Sequence, residues 1–256
     1  VSSFFDSHCH LTDERLRDRV PEVLAAAQAA GVARVVTIAS DLEDARAALA
    51  LARSHDGLYC TGGVHPHQAE LASDQALAAV RELADDPLVV AIGEAGLDFH
   101  YDNAPRDRQH AAFEAQLAMA AELDLPIVVH SRDADEAMIA ALREWGGRTR
   151  GVLHCFAGGR ALLDAGLAAG WHVSFSGLVS FRNYDGAELV RAVPDERLLI
   201  ETDSPYLAPV PRRGRTNEPA YVVHVAEAVA TLRGQSVEQV AALTDANARA
   251  FYRIDG

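Results

Sequence analysis

Phe4-Phe5-Asp6-Ser7-His8-Cys9-His10 carries the pattern that decides the fold: a short apolar run that ends in side chains able to hold a metal ion. The pattern recurs along the chain. Leu58 to Val64 precedes His65, Val89 to Ile92 precedes Glu94, Ile127 to Val129 precedes His130, Val152-Leu153 precedes His154, and Leu198 to Ile200 precedes Asp203. Short runs rich in β-branched residues are the sequence form of buried parallel strands. In the first run, period-two alternation puts His8 and His10 on one face and Cys9 on the other, so the imidazole pair can chelate one ion. A lone histidine is more often a satisfied hydrogen-bonding group than a ligand. Repetition at strand after strand is what points to a metal site.

Between these runs lie Ala- and Leu-rich stretches with helical spacing: Val20 to Ala30, Leu42 to Arg53, Asp74 to Ala84, Arg106 to Leu123, Ala134 to Trp145 and Arg160 to Ala169. Asp41 and Ser73 stand where N-caps belong, and Gly31, Gly146-Gly147 and Gly170 where helices close. Two more strands are expected at Arg34 to Ala39 and Trp171 to Phe175, and two final helices at Glu218 to Leu232 and Ser236 to Tyr252. Alternating strands and helices with about eight strands close a parallel barrel. With 256 residues, 49% of them hydrophobic, one large core suffices. The expectation is an α/β fold, a (β/α)8 barrel spanning residues 1–256 as a single domain.

All 23 basic residues are arginine, and the absence of lysine excludes Schiff-base chemistry, a pyridoxal phosphate anchor, a P-loop and a centre bridged by carboxylated lysine. Any bridging ligand must then be acidic, and Glu94 is the candidate. The net charge of -14 argues against broad adhesion to nucleic acid. An anionic substrate would need local positive charge, from divalent ions and from the arginines of Pro211-Arg212-Arg213-Gly214-Arg215. Three cysteines, Cys9, Cys60 and Cys155, are too few and wrongly spaced for a disulfide framework or a zinc finger. They read as packing residues, with strand alternation turning the Cys155 thiol away from the metal. No run approaches the length of a membrane span, no export signal is evident, and a cytoplasmic protein with no membrane and no stable protein partner is expected.

Active sites of such barrels form at the C-terminal ends of the strands, where the ligand types fall. Four histidines and two carboxylates exceed the needs of one tetrahedral ion. The expectation is two divalent ions about 3.5 to 4 Å apart, as in two-metal hydrolases. Glu94 bridges them, His8, His10 and Asp203 complete one, and His130 and His154 the other. Nitrogen donors suit zinc, manganese, cobalt or iron better than magnesium. The nucleophile would be water, with Asp203 orienting it or taking its proton. His65, beside glycines that allow close backbone approach, is expected to contact the scissile group rather than the metal. Glu201 shares the Asp203 face and would sit behind a ligand histidine. His55, His67, His100, His110, His172 and His224 lack the punctuation and read as structural or surface residues.

Seven segments together resemble one family: DSHCHL at Asp6 to Leu11, GVHPH at Gly63 to His67, GEAGLDF at Gly93 to Phe99, VVHSRDA at Val128 to Ala134, LHCFAG at Leu153 to Gly158, ETDSPYLAP at Glu201 to Pro209 and RGRTNEP at Arg213 to Pro219. They run in the order of the TatD-type metal-dependent deoxyribonucleases and cover the chain. The resemblance implies a TIM barrel of the metallo-dependent hydrolase superfamily with His8, His10, Glu94, His130, His154 and Asp203 at the metal positions. It also implies hydrolysis of DNA phosphodiesters, often as a 3′-5′ exonuclease on single strands, with catalytic roles for Asp203, Glu94 and His65, and commonly with magnesium. Zinc and manganese remain candidates beside it. Two departures bear on substrate preference. Arg215 stands where the family often has lysine, leaving Arg213 and Arg215 as the expected phosphate contacts. After GEAGLDF, His100-Tyr101 moves the aromatic by one position. The alternatives are a metal-dependent amide or ester hydrolase, for example acting on D-aminoacyl-tRNA, and a metal-binding protein without turnover.

Overall fold

The computed structural model describes residues 3–254. Eight parallel strands follow one another around the sheet in chain order. They are β1 (Phe4–Cys9), β2 (Val32–Thr37), β3 (Leu58–Gly62), β4 (Val89–Asp98), β5 (Ile127–Arg132), β6 (Gly151–Leu153), β7 (His172–Phe175) and β8 (Leu198–Ile200). The helices between and after them are α1 (Val20–Ala29), α2 (Leu42–Ala52), α3 (Asp74–Leu83), α4 (Arg106–Leu123), α5 (Asp135–Trp145), α6 (Arg160–Ala168), α7 (Ala187–Ala192), α8 (Val222–Arg233) and α9 (Val237–Tyr252). Local signals act as expected: Asp41 accepts from the Asp44 amide and Ser73 from the Ala76 amide. Ser236 and Gln239 form a reciprocal capping box at α9. Among the described residues no helix is long and apolar enough to cross a membrane.

Strand alternation divides the core in two. Ile127, Val129, Leu153, Leu198 and Ile200 pack outward with Val23, Leu49, Leu117 and Val225 of the helices. Phe5, Val36, Val128, Val152 and Leu199 form a separate inner cluster with Phe251 and Tyr252 of α9. The same alternation that turns Val128, Val152 and Leu199 inward also turns His130, His154 and Glu201 inward two residues later. Phe5 and His8 are three residues apart, an odd spacing that regular pleating would send to opposite faces. A register irregularity between Asp6 and Cys9 changes the parity and returns His8 to the inside.

The barrel closes between β1 and β8 through short links. The Asp203 amide donates to the His8 carbonyl at 2.9 Å and the His10 amide to the Ser204 carbonyl at 2.7 Å. Below them, the fully buried Asp6 carboxylate accepts from the Thr202 amide at 2.8 Å and the Thr202 hydroxyl at 2.6 Å. Burial pushes the Asp6 carboxyl up to about 8, against the lowering effect of the Thr202 bonds. This seam fixes the spacing between the first histidine pair and Asp203.

Several boundaries differ from expectation. β2 starts and ends two residues earlier than Arg34 to Ala39, and a 3-10 turn at Pro219–Tyr221 precedes α8. α7, six residues long, is too short to show a period and was not expected. β4 runs to Asp98 instead of stopping at Ile92. Its two glycines look like breakers but serve close packing. A Cβ on Gly96 would lie 2.0 Å from the His130 carbonyl oxygen, and its φ of +135° is unfavourable for other residues. Gly96→Ala is therefore expected to destabilise the fold by about 2–4 kcal/mol, read as a lowered urea midpoint.

Candidate metal centre

All the proposed ligands converge at the C-terminal mouth of the barrel. His8 lies in β1 and His10 just after it; Glu94 and Asp98 lie in β4 and His130 in β5; His154 and Asp203 follow β6 and β8. Backbone hydrogen bonds set the depth of two of the groups, from the Glu94 amide to the Ala39 carbonyl and from the His65 amide to the Ser40 carbonyl, both 2.9 Å.

The two oxygens of the buried Glu94 carboxylate face different imidazoles. Oε2 lies 3.4 Å from His8 Nε2 and 3.8 Å from His10 Nε2. Oε1 lies 2.8 Å from His154 Nε2 and 3.0 Å from His130 Nδ1. Asp203 Oδ1 closes the first group, 3.5 Å from His10 Nε2 and 3.8 Å from His8 Nε2. Burial favours the neutral form of Glu94, but His154, His65 and His130 outweigh it and hold the carboxyl well below its usual range. Asp203 is likewise lowered against burial by His10, His8 and His154. Both are thus ionised, as cation ligands must be.

The far nitrogens of the histidines decide which near ones carry a free lone pair. His10 Nδ1 donates to the Ile38 carbonyl at 3.2 Å, His154 Nδ1 to Glu201 Oε1 at 3.1 Å, and His130 Nε2 to Asp98 Oδ2 at 3.0 Å. Neighbouring carboxylates raise all three rings against burial, so each readily holds a second proton on the side facing Glu94 or Asp203. A cation that displaces this proton leaves the one on the far nitrogen, and His10 Nε2, His154 Nε2 and His130 Nδ1 then become the donor atoms pointing into the site. His8 Nε2 and His10 Nε2 approach to 3.2 Å, an arrangement in which a cation satisfies both. The donor set therefore fits divalent metal ions of the nitrogen-preferring class.

His65 has the opposite polarity. Its Nδ1 accepts from the His67 amide at 3.0 Å, and burial pushes the ring down to about 4. The neutral ring then carries its proton on Nε2, which points at Glu94 Oε1 from 3.4 Å. His65, Glu94 and His130 lie close enough to share an ion. His65 nevertheless presents a proton and not a lone pair, so it is a donor beside the ligands.

A family model described as TatD related DNase matches residues 5–253. The chain belongs to this family. It is 41% identical over 257 residues to the 3′-5′ ssDNA/RNA exonuclease TatD of Erwinia amylovora, covering 97% of this chain and 99% of that one. It is 39% identical over 253 residues to the uncharacterized metal-dependent hydrolase YabD of Bacillus subtilis, covering 98% and 99%. The crystal structure of YJJV, a TatD homolog from Escherichia coli, is similar with a TM-score of 0.92, 27% identity and 98% of each chain covered.

In this TatD-related chain, the structure brings His8, His10, His65, Glu94, His130, His154, Glu201 and Asp203 together. It does not bring Arg213 and Arg215 with them. The Arg213 guanidinium lies 3.8 Å over the Phe181 ring, and neither arginine lines the cleft of about 1610 Å³ above the centre. Cys155 borders the cleft. β6 ends at Leu153, so strand parity stops there, and a φ of +43° turns the Cys155 thiol to 3.1 Å from the Ser176 hydroxyl.

His67, read as structural or surface, belongs to the site: its Nε2 donates to Asp98 Oδ2 at 2.8 Å. Asp98 was missed because β4 was ended too early. Its carboxylate accepts from both His67 and His130, and the His100 and Tyr101 amides donate to its other oxygen. These bonds hold it ionised against complete burial. The signal was present, since Glu94, Gly96 and Asp98 share one strand face.

Proposed function

We propose that this chain is a divalent-metal-dependent nuclease that removes nucleotides from the 3′ end of single-stranded DNA. The observation that carries this reading is the division of the Glu94 carboxylate between two groups of imidazoles, which suits a bridge between two ions. The 3′ polarity and the single-strand preference follow the relatives named 3′-5′ ssDNA/RNA exonuclease. His8, His10 and Asp203 would hold one ion and His130 and His154 the other, with zinc, manganese or magnesium as candidates. When bound, such ions would neutralise phosphodiester charge and activate water as the nucleophile.

The chain's own residues orient the reactants. Asp203, ionised and facing the His8–His10 pair, takes the proton of the attacking water. His65 holds a proton at Nε2 beside Glu94 Oε1, where it would donate to an oxygen of a phosphate that enters the centre. Asp98, Glu201 and the Ile38 carbonyl fix the tautomers of His130, His154 and His10. Glu201→Gln is accordingly expected to weaken metal affinity about 10–100-fold, measured by competition with a chelator.

The direct test is digestion of 5′-labelled and 3′-labelled single-stranded oligomers by chelator-stripped protein, with each metal restored separately. A ladder of 5′-labelled products shortened from the 3′ end is expected, with immediate release of the 3′ label as mononucleotide. No cleavage with any of the metals would overturn the reading and direct the search to esters and amides.

A further inference from the structure

Two arginines line the cleft, Arg106 and Arg132, and only one of them is engaged by an acid. Arg106 donates to both carboxylate oxygens of Asp102, at 2.8 and 2.7 Å. Among the described residues Arg132 makes no ion pair; its guanidinium lies over one face of the Tyr101 ring, 4.8 Å from the centroid, and leaves the other face for a base. Apart from its histidines, the charged lining is acidic and includes Asp13, Asp133, Asp135 and Glu136. A polyanion entering this cleft meets one arginine that no acid among the described residues pairs with.

Tyr101 is an unusual surface residue, a large aromatic ring 54% exposed. It is also held in place. Its amide donates to Asp98 Oδ1 at 2.8 Å, so the carboxylate that orients His67 and His130 also sets the position of this ring. His67 and His100 meet it edge-on, at 5.6 and 4.8 Å between ring centres. Arg132 stands two residues beyond His130 on β5, on the same face and about 6.6 Å further along the strand. An exposed, oriented aromatic beside a guanidinium that no acid engages is the chemistry that binds one unpaired nucleotide: the ring stacks a base on its open face and the cation pairs with phosphate.

We propose that Tyr101 and Arg132 form a nucleotide subsite beside the metal centre, with Tyr101 stacking a base and Arg132 pairing with the phosphodiester next to the scissile one. The proposal rests on the nuclease reading above and adds a source of single-strand preference to it. Bases held in a duplex are already stacked and cannot lie on the Tyr101 ring.

The test uses the manganese-loaded protein with a labelled oligothymidylate whose phosphorothioate links slow cleavage, followed by fluorescence anisotropy over a range of salt concentrations. Arg132→Gln and Tyr101→Ala should each weaken binding about 10-fold, and Tyr101→Phe should stay within about 2-fold of wild type, because stacking needs the ring and not the hydroxyl. Arg132→Gln should also reduce the slope of log affinity against log salt by about 0.7, the share of one single-strand phosphate. Hydrolysis of bis(p-nitrophenyl) phosphate, which has one phosphate and no neighbour, should be unchanged in Arg132→Gln. Unaltered oligomer affinity in both variants, or equal loss on bis(p-nitrophenyl) phosphate, overturns the subsite while leaving the nuclease reading in place. Wild-type protein that cleaves bis(p-nitrophenyl) phosphate but neither binds nor cuts DNA overturns both.

Discussion

Glu94→Gln is expected to lower kcat/KM on a single-stranded DNA oligomer by at least about 10³-fold with any metal, because the substitution removes the shared ligand of the proposed two-ion site. The amide keeps the volume and one oxygen of the carboxylate. It cannot keep both halves of the site. In one orientation its NH2 faces His8 and His10; in the other it faces His130 and His154. Either way one half of the site faces an NH2 that cannot ligate an ion, and the central negative charge is lost. Activity within about 10-fold of wild type, measured under saturating metal, would remove Glu94 from the bridge.

Asp203→Asn should separate chemistry from binding. The expected result is a loss of at least about 100-fold in kcat, with oligomer affinity within about 3-fold of wild type. Asparagine is a suitable probe here because Asp203 has a φ of +55°, a left-handed conformation that asparagine also adopts readily. The backbone bond from the Asp203 amide to the His8 carbonyl can then persist, and the barrel seam with it. What changes is the charge and proton-accepting capacity of the Oδ1 atom that faces His10 and His8. Single-turnover cleavage and anisotropy on the same oligomer give the two numbers. Turnover near wild type would exclude Asp203 as the proton acceptor.

The sequence was most legible where one structural rule controlled both fold and site. Buried strands with period-two alternation place His130 beside Val128 in the inward series, and His154 beside Val152, so finding the strand also located the candidate ligand. Glu201 and its contact with His154 followed from the same parity. Reading failed where that rule is interrupted. The glycines of β4 hid Asp98, since their tolerance of close approach to β5 is visible only once the His130 carbonyl is placed. His67 sits on a 3-10 turn after β3, where no strand period applies, and meets Asp98 at the end of the neighbouring strand β4.

Cys155 shows the same limit, because it stands two residues past the end of β6, where strand parity no longer applies. The arginines illustrate another. A run of charge in sequence, as at Arg212, Arg213 and Arg215, says nothing about direction, and these guanidiniums pack on Tyr221 and Phe181 or reach solvent. Arg132, isolated in sequence, is the one that the β5 register carries to the mouth of the site. The Asp6–Thr202 link joins residues 196 apart, so no local pattern could pair them.

The central claim is a two-ion centre bridged by Glu94, and counting bound metal tests it most directly. Protein stripped with chelator, reloaded with manganese or zinc and passed through a desalting column should retain two ions per chain. Glu94→Gln should retain one or none. A fully active wild-type protein that holds a single ion, unchanged in number by Glu94→Gln, would contradict the account.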